Sequence, residues 1–361
     1  MTVYIPKKIF IEDTVQDLPL TRKVLNRCSS VPTEIIPRAQ EFIRKSAGSL
    51  PQPDVLLLCR NRGRFIEPCP GTSSYLCCGY TILNTGTGCP LACSYCVLQA
   101  YLNNPFITLY VNQEEMWDEL ATNGCAQQQG TLRIGTGEFG DSLALEHLTD
   151  FIPSMLLFLG KQKNAVLELK TKTTHIGPLA GQDHGGKIIV SWSLNAEEIA
   201  RSEEHGAAPV GDRIRAAGRL AGEGYRIGFH FDPLIAFPGW EQGYKSIVDM
   251  IAAHVPASSI AWVSLGALRY MPPLKNISRQ RFSASRIFTG EFVPGLDGKM
   301  RYFQPIRVEL FARLAEWLRA YAPDIFIYLC MESQQVWKQA LGFAPASNAD
   351  LKRMLDERVK K

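Results

Sequence analysis

The chain has 361 residues, of which 46% are hydrophobic and 20% are charged, which is the composition of an ordinary soluble globular protein. This length allows either one large barrel or two domains that share an interface. The formal net charge of +4 is too small to argue for nucleic-acid binding by itself. The sequence has neither a long apolar span nor a secretory h-region, so we expect a cytoplasmic protein without membrane contact.

Residues 1–75 are predicted to form a helical N-terminal extension, and residues 76–361 the main domain. One helix is expected after Leu18, and a second is expected to cover PTEIIPRAQEFIRKSAG and to end at Gly48. A stretch rich in proline and glycine then leads to YTILNT, a candidate leading strand, and to a group of cysteines.

Three of the ten cysteines, Cys89, Cys93 and Cys96, form a C-x3-C-x2-C motif, with Tyr95 directly before the last. In the reducing cytoplasm such a group indicates a metal site rather than disulfides. Three thiolates on one short loop can each bind one iron of a [4Fe–4S] cluster. The fourth iron then lacks a protein ligand and can chelate the amine and carboxylate of S-adenosylmethionine, which reductive cleavage of this cofactor requires.

Two alternatives remain open for these cysteines. A zinc ion could use them together with a fourth ligand from Cys77, Cys78 or Cys125, although paired C-x2-C knuckles are more typical of zinc. They could also be free cysteines that are close by coincidence. The spacing fits an open-site cluster better than either alternative.

Downstream of the cysteines, short apolar runs alternate with helical patterns, which indicates a parallel sheet with crossover helices. We therefore expect an α/β fold, and a partial (β/α)6 TIM-type barrel suits the pattern better than an open doubly wound sheet. The six candidate strands after the leading strand are 131–137, 165–172, 187–194, 225–233, 258–268 and 324–331.

Polar residues at the ends of these strands are candidate cofactor ligands, because barrels of this type place their reactive loops at the carboxyl ends of the strands. The cysteine loop should lie at the same mouth. Glu138 ends a G-T-G-E string whose small residues allow close backbone approach, and its carboxylate could hold the cofactor's ammonium group. Lys172, Ser193 and Asn195 could bind its carboxylate and ribose. Taken singly, each also fits an ordinary turn or surface position.

Residues 270–307 interrupt the alternation with a basic and aromatic segment. Asp297 and Gly298 form a good turn between two short extended runs, which predicts a C-terminal β-hairpin insertion. The alternative interpretation of this segment is a solvated surface loop.

Several longer motifs resemble those of the spore photoproduct lyase family of radical S-adenosylmethionine enzymes. They are CVLQAYLNNPFITLYVNQEE, DSLALEHLT, SWSLNAE, RYFQPIR and YLCMESQQVWKQALGF, and they cover nearly the full chain. The resemblance implies a partial barrel, a cluster with one open iron and a DNA substrate that carries a thymine dimer made by ultraviolet light. In that family, the cofactor's radical takes hydrogen from C6 of the lesion, the methylene bridge breaks, and hydrogen returns to the product radical.

The resemblance also assigns roles to residues of this sequence. A family hairpin with an Arg-Tyr pair holds the lesion out of the base stack and matches Arg301 and Tyr302. Tyr95 is expected to relay or shield the radical. Lys172, Ser193 and Asn195 match the family's cofactor contacts. Apart from the resemblance, we expect Lys299 and Arg307 to contact phosphate.

The chain departs from the family at its hydrogen donor. The family's donor cysteine falls at Glu138 or Phe139 here, and a family tyrosine is replaced by Val97. Neither a carboxylate nor a phenyl ring can replace a thiol, because neither offers a weak bond to hydrogen. Either another donor serves, with Cys330 at the end of the last strand as the candidate, or the outcome differs. Cys330 and the second spare thiol, Cys125, also fit inert core cysteines.

The leading hypothesis is a radical S-adenosylmethionine carbon–carbon lyase that repairs a pyrimidine photoproduct in DNA. It would act as a monomer and receive its electron from a reductant of the flavodoxin or ferredoxin type. A radical reaction on RNA or on a small molecule is the first alternative, which the missing thiol favours and the retained hairpin opposes. A nucleic-acid-binding protein that keeps its cluster only for structure is the second.

Overall fold

The computed structural model describes residues 3–72, 74–125 and 130–359. Short apolar runs form its strands, and longer amphipathic segments form its helices. The strands are β1 (Lys8–Glu12), β2 (Thr33–Ile36), β3 (Gln52–Cys59), β4 (Ile66–Pro68), β5 (Thr81–Leu83), β6 (Gly86–Thr87), β7 (Phe106–Tyr110), β8 (Leu132–Gly135), β9 (Ala165–Thr171), β10 (Ile188–Ser193), β11 (Arg226–Leu234), β12 (Ile260–Ala267), β13 (Arg269–Tyr270), β14 (Phe292–Pro294), β15 (Met300–Tyr302) and β16 (Ile327–Leu329). The α-helices are α1 (Pro19–Arg27), α2 (Ala39–Lys45), α3 (Leu98–Tyr101), α4 (Gln113–Glu119), α5 (Glu146–Thr149), α6 (Phe151–Gly160), α7 (Glu197–Glu203), α8 (Val210–Gly222), α9 (Trp240–His254), α10 (Pro272–Arg281), α11 (Gln304–Tyr321), α12 (Gln334–Leu341) and α13 (Asn348–Arg358).

The larger sheet contains the strands that were predicted from the sequence. Its order is β16-β12-β11-β10-β9-β8-β5-β4. From β5 to β16, neighbouring strands are parallel and follow one another in chain order, while β4 is an antiparallel edge strand. This arrangement of a leading strand followed by six more confirms the partial barrel.

The curl of this sheet follows from a contact inside it. In a flat sheet, β9 and β12 would lie roughly 14 Å apart, because two strands separate them by about 4.8 Å a step. Yet Trp262 Nε1 on β12 donates to Glu168 Oε1 on β9 at 3.1 Å. The sheet therefore curves around a lumen. Between its open edges, the amide of Leu76 donates to the carbonyl of Glu332 at 3.1 Å.

The N-terminal region corrects the sequence prediction, because it is not a purely helical extension. It forms a second sheet with the order β2-β1-β3-β7-β6. The second predicted helix begins only at Ala39, and residues 33–36 form β2 because Pro37 disfavours helical geometry in the residue before it. The sheet includes β6 and β7, so its pairing does not follow the predicted boundary at residue 75.

The N-terminal sheet is covered on both faces, which explains its continuous apolar strands. Helix α1 covers one face, and α2 covers the other. One apolar cluster joins Leu56 and Leu58 of β3 to Leu20 and Val24 of α1. On the opposite face, Leu57 belongs to a separate cluster with Ala39 of α2 and other buried residues.

The hairpin insertion is present as predicted. Strands β14 and β15 are antiparallel, and β13 pairs with the other edge of β15. Gly298 in the turn has a φ of 75°, a conformation that glycine adopts without strain. None of the helices in the described part of the chain is long and apolar enough to cross a membrane.

Candidate active site

The cysteine loop lies across the carboxyl ends of the central barrel strands, as predicted. It follows β6 and is tied to the segment after β10 by backbone hydrogen bonds. The amide of Ser94 donates to the carbonyl of Glu203 at 2.8 Å, and the amide of Gly206 donates to the carbonyl of Leu91 at 2.8 Å. These bonds fix the loop at the mouth of the half-barrel.

Cys89, Cys93 and Cys96 line one cavity of about 310 Å³. Among the described residues that line this cavity, no His, Asp, Glu or further Cys offers a fourth ligand. Burial raises the pKa of all three thiols. In the described ranges, no three such side chains converge on one point as a single metal ion requires. A cubane cluster takes its thiolates at separate corners, so the donor set fits a three-thiolate cluster with one open iron.

The zinc alternative loses its proposed fourth ligands. Cys77 packs on the turn at Gly71, where an added Cβ would lie 2.7 Å from its Sγ. Cys125 lies at the end of the helical segment that continues α4. None of these described cysteines lines the cavity of the cysteine loop. A tetrahedral zinc site on this loop would therefore lack the ligand that closes it.

A buried ionic network stands behind Cys93. The carboxylate of Glu204 accepts hydrogen bonds from the Tyr95 hydroxyl, from Lys172 Nζ at 3.1 Å and from Arg213 Nη2 at 2.5 Å. Burial alone would raise the pKa of Glu204, but Lys172 and Arg213 outweigh it and lower this pKa to about 2. Burial and the Glu204 charge raise the pKa of Tyr95, whose hydroxyl stays protonated. Lys172 is thus held toward the cysteine loop.

The two predicted ligands on β10 and after it differ in their surroundings. Ser193 is half-buried, and its carbonyl accepts a hydrogen bond from Arg213 at 2.9 Å. Asn195 is fully buried. Its Oδ1 accepts from the Tyr244 hydroxyl at 2.6 Å, and its Nδ2 donates to the carbonyl of Pro233 at 3.0 Å. The structure therefore does not support Asn195 as a cofactor contact; the side chain holds the end of β10 against β11.

Glu138 lies at the mouth of the barrel, and its side chain is hydrogen bonded to another residue of this chain. Its carboxylate accepts a hydrogen bond from the Tyr80 hydroxyl at 2.6 Å. A Cβ at Gly135 would lie 2.4 Å from the Tyr80 ring, and one at Gly137 would lie 2.6 Å from Cβ of Lys170. The two glycines therefore make room for Tyr80 and Lys170.

The lumen holds a polar cluster that the sequence analysis missed. Glu168 Oε1 accepts from Ser191 Oγ at 2.7 Å, lies 2.7 Å from His230 Nε2, and also accepts from Trp262. Lys170 Nζ lies 3.9 Å from Glu168 Oε2. Burial would raise the pKa of Glu168, but Lys170 and His230 lower it overall. The alternation of Glu and Lys within one apolar strand was the available signal.

Cys330 faces this lumen from the end of β16. Its Sγ accepts a hydrogen bond from Arg269 Nη2 at 3.4 Å. Arg269 and Asp232 form an ion pair at 2.9 Å. Burial raises the pKa of the Cys330 thiol. Cys330 is therefore not an inert cysteine in an apolar core.

The Arg-Tyr pair of the hairpin is enclosed in this structure. Arg301 Nη2 pairs with Asp297 Oδ2 at 2.7 Å, and the guanidinium lies 4.2 Å from the centre of the Tyr75 ring. Tyr302 is buried and stacks on Phe292 with ring centres 4.7 Å apart. Both side chains therefore stabilise the hairpin as the structure has it.

The two predicted phosphate contacts differ in exposure. Arg307 is buried; its Nε pairs with Glu332 Oε1 at 2.9 Å, and its Nη1 donates to the carbonyl of Tyr302 at 2.5 Å. The prediction that Arg307 contacts phosphate is thus not supported, because binding would break a buried ion pair. Lys299 is 22% exposed, with Nζ 3.6 Å from Asp297 Oδ2. Its phosphate contact stays a prediction.

A half-barrel with three cysteines on one loop at its mouth is typical of the radical S-adenosylmethionine enzymes. A family model described as "Spore photoproduct lyase" matches residues 72–292. The chain belongs to the spore photoproduct lyase family.

Two curated relatives in this family are the spore photoproduct lyases of Geobacillus sp. (strain Y412MC61) and Bacillus subtilis (strain 168). Each is 24% identical to this chain, over 302 and 292 residues respectively. The alignments cover 80% and 79% of this chain and 85% and 84% of the relatives.

Solved structures of spore photoproduct lyase share the fold. A mutant with dinucleoside spore photoproduct aligns with a TM-score of 0.79 at 21% identity, and the match covers 91% of this chain and 100% of that one. A second mutant, with bound AdoMet and dinucleoside spore photoproduct, aligns with the same TM-score, identity and coverage. The likeness confirms the partial barrel.

Proposed function

We propose that this chain is a radical S-adenosylmethionine carbon–carbon lyase that repairs a spore-photoproduct-type thymine dimer in DNA. The observation that carries the proposal is the cavity beside the cysteine loop, whose described lining offers three cysteines and no fourth ligand. Membership in the spore photoproduct lyase family supports the substrate. A solved relative whose title names both AdoMet and the dinucleoside lesion supports the pairing of this cofactor with this substrate.

A [4Fe–4S] cluster with S-adenosylmethionine would supply the radical chemistry that hydrogen abstraction from the lesion requires. Cys89, Cys93 and Cys96 would hold the cluster. Lys172 would bind the cofactor's carboxylate, and Ser193 would bind its ribose. Glu138 could bind the ammonium group only by sharing its carboxylate with Tyr80, which now donates to it at 2.6 Å.

Glu204 would act as a positioning residue for this site. It holds Lys172 and Tyr95 on one carboxylate and is itself anchored by Arg213. A buried anion between two cations keeps Lys172 ordered. Tyr95, directly beside the third cluster cysteine, would shield the radical from the protein backbone or relay it.

DNA would approach from the side of the hairpin. Lys299 would contact phosphate, because it is the partly exposed cation of the predicted set. Arg301 and Tyr302 would engage the lesion only after the hairpin gives up some of its enclosing contacts. The electron would come from a reductant of the flavodoxin or ferredoxin type, and we expect the enzyme to act as a monomer.

The direct test is anaerobic incubation of reconstituted enzyme with dithionite, S-adenosylmethionine and dinucleoside spore photoproduct. We expect release of the repaired thymine dinucleotide together with 5′-deoxyadenosine formation. Ready 5′-deoxyadenosine formation without repair would exclude this assignment.

A second candidate is a different radical reaction on the same scaffold. Glu138 and Phe139 stand where the family carries its donor cysteine, and this specific departure favours it. Stimulation of 5′-deoxyadenosine formation by another substrate, with no response to ultraviolet-irradiated DNA, would decide for this candidate.

A further inference from the structure

In the proposed function the cluster must receive an electron from outside the chain, and the inference below rests on that function. The cavity beside the cysteine loop offers a place for this electron to enter. It is lined by the three cluster cysteines and by three other segments, within residues 48–53, 98–107 and 277–281. Of its lining residues, Leu50 and Gln280 are exposed. The cavity therefore connects the cluster thiols with the surface of the protein.

The predicted cofactor ligands do not line this cavity. Neither Lys172 nor Ser193 is among the described lining residues. Lys172 is held instead at Tyr95 and Glu204, with Nζ 3.1 Å from the hydroxyl of the first and 3.1 Å from the carboxylate of the second. A partner that approaches through the cavity thus leaves these residues to the cofactor.

The hairpin, from whose side DNA would approach, packs on other parts of the chain. The amide of Leu296 donates to the Tyr75 hydroxyl at 3.2 Å, and Arg301 Nη1 donates to the carbonyl of Met331 at 3.1 Å. None of these four described residues lines the cavity. A partner at the cavity therefore does not need the surface that the hairpin offers to DNA.

The segments around the cavity carry positive charge and no negative charge. Residues 42–53, 88–107 and 272–281 contain neither aspartate nor glutamate. Their cations form what we name the basic rim, which consists of Arg44, Lys45, Lys275, Arg279 and Arg281. The whole chain has 39 basic and 35 acidic residues, so the rim is a local concentration of charge in a nearly balanced protein.

Four cations of the basic rim are available to a partner. Arg44, Lys45 and Arg279 are exposed, and Lys275 is half-buried. Within the described ranges, none of the four forms an ion pair with a carboxylate. Unpaired cations of one sign on one surface create a positive potential that attracts and orients an acidic partner.

Arg281 joins the basic rim to the cysteine loop. Its Nη1 donates to Oε1 of Gln99, which is buried. Gln99 Nε2 in turn donates to the carbonyl of Cys93 at 2.9 Å and to that of Ser94 at 3.2 Å. Helix α10 is thus fastened to the backbone of the cluster cysteines, and a protein bound on this helix would lie beside them.

We propose that an acidic electron-transfer protein of the flavodoxin or ferredoxin type docks on the basic rim and reduces the cluster through this cavity. One electron leaves the flavin or iron–sulfur centre of the donor and enters the cluster, and no covalent bond forms or breaks. Carboxylates of the donor pair with the rim cations, and Leu50, which is 42% exposed, supplies an apolar contact. Complexes for electron transfer are weak and bury less than about 1,200 Å², so charge can guide them without a large apolar face.

Docking is tested first without turnover. Reconstituted, unreduced enzyme is titrated at low salt with a purified, oxidised bacterial flavodoxin, and binding is measured by calorimetry. The double variant Lys45→Glu, Arg279→Glu changes both sides of the basic rim. We expect its Kd for flavodoxin to rise at least about tenfold. An unchanged Kd would overturn the proposal.

The matched control is the double variant Lys161→Glu, Lys163→Glu. Both lysines are exposed and precede β9, so they lie at the amino ends of the barrel strands, opposite the cysteine loop. The change in charge is the same as in the rim variant. We expect a Kd within about twofold of that of the unaltered enzyme. An equal loss in both variants would mean that net charge alone acts, and would also overturn the proposal.

Electron transfer is tested by stopped-flow reduction of the cluster, followed by the loss of its visible absorbance. With reduced flavodoxin at low salt, we expect the rim variant to react at least about tenfold more slowly than the unaltered enzyme. This difference should shrink in about 1 M salt, where the Debye length falls to about 3 Å. Reduced methyl viologen, a small cation that needs no docking surface, should reduce the rim variant at least as fast. Slower reduction by methyl viologen as well would place the defect in the cluster and overturn the proposal.

Two outcomes separate this inference from the function it rests on. If the enzyme repairs the lesion with dithionite, and the rim variant loses affinity for duplex DNA but not for flavodoxin, the basic rim is a DNA surface; the inference is then wrong, and the proposed function stands. If the unaltered enzyme with dithionite cleaves S-adenosylmethionine but never consumes the lesion, the proposed repair fails, whereas the flavodoxin titration still decides the docking site.

Discussion

The two sheets of this molecule bury their strands against different surroundings. In the described strands of the N-terminal sheet, the buried charged residue is Glu12, and the other buried side chains are almost all apolar. The barrel strands instead bury Glu168 and His230 on the lumen side, with Lys170 beside them. Both sheets are mainly parallel, so the difference does not come from strand pairing.

The contrast shows where chemistry is placed in such a fold. Both faces of the N-terminal sheet are covered by helices, and most of the buried contacts on these faces are apolar. On the inner face of the curled sheet, side chains of neighbouring strands meet one another, as Glu168, Ser191, His230 and Trp262 do. Charged groups are retained there only because each has a partner, as Glu168 has in His230 and Lys170. We therefore take the paired polar residues inside the barrel as the candidate functional face.

The largest expected difference is between the cysteine loop at the barrel and the N-terminal sheet, each of which contains a buried cysteine. We predict that Cys93→Ala loses the cluster and reduces 5′-deoxyadenosine formation to background, because two thiolates cannot hold the cubane in place. The matched Cys59→Ala change, on β3, should keep both the cluster and the normal rate of 5′-deoxyadenosine formation. Iron content and chromatography of the nucleoside measure the effect. Retention of iron and cofactor cleavage by Cys93→Ala would contradict the assignment.

Buried carboxylates give the next largest effect. Glu168→Gln leaves Lys170 and His230 without their anion, so we expect a loss of about 3–5 kcal/mol in the free energy of unfolding. Glu12 accepts two backbone amides and pairs with Arg62, which is partly exposed. For Glu12→Gln we expect about 1–3 kcal/mol. Urea unfolding of both variants measures which one loses more free energy of unfolding. Equal losses would contradict the difference that we describe between the two sheets.

Glu146 gives a pH dependence at the junction of the two regions, where α5 packs on α1. Burial raises its pKa to about 7 despite hydrogen bonds from Thr149 and from the amides of Phe151 and Ile152. The folded state thus holds the proton more firmly than the unfolded state. Stability should fall as pH rises from about 4.5 to about 7, by at most roughly 3 kcal/mol, and then level off.

The matched variant for this prediction is Glu146→Gln, in which the pH-dependent loss should disappear. Thermal unfolding at pH 5 and pH 8 measures it. Glu168 should make stability depend on pH in the opposite direction. Its lowered pKa gives stability that is present at neutral pH and is lost in acid. An identical pH profile for the unaltered protein and Glu146→Gln would refute the raised pKa.

The smallest expected effect concerns the surface. Lys299→Met on the hairpin should weaken binding to duplex DNA by about threefold and reduce the slope of affinity against salt by about one. Lys8→Met on β1, where the lysine pairs with Glu34 at 2.6 Å, should change neither quantity. Fluorescence anisotropy over a range of salt concentrations distinguishes the two. Equal effects would indicate general charge loss and no contact at Lys299.

Much of the barrel could be predicted because its signals are local. The C-x3-C-x2-C spacing defines the cysteine loop within eight residues, and the turn at Asp297 and Gly298 defines the hairpin. Each barrel strand is a short apolar run between helical patterns. By contrast, the strands near Phe10 and Leu57 were missed, because a continuous apolar run does not distinguish a buried strand from part of a helix.

What the sequence by itself determined is therefore the cysteine loop, the order of the barrel strands and the family to which they belong. Only the tertiary structure decided which residues the polar and charged side chains contact. Glu204 lies 109 residues from Tyr95, and Cys330 lies 61 residues from Arg269. Asn195 and Arg307 were predicted from the sequence to bind ligands. In the structure their side chains are buried and bonded to other residues of the protein. Side-chain chemistry is encoded locally, whereas burial and pairing depend on distant segments that meet only when the sheet curls.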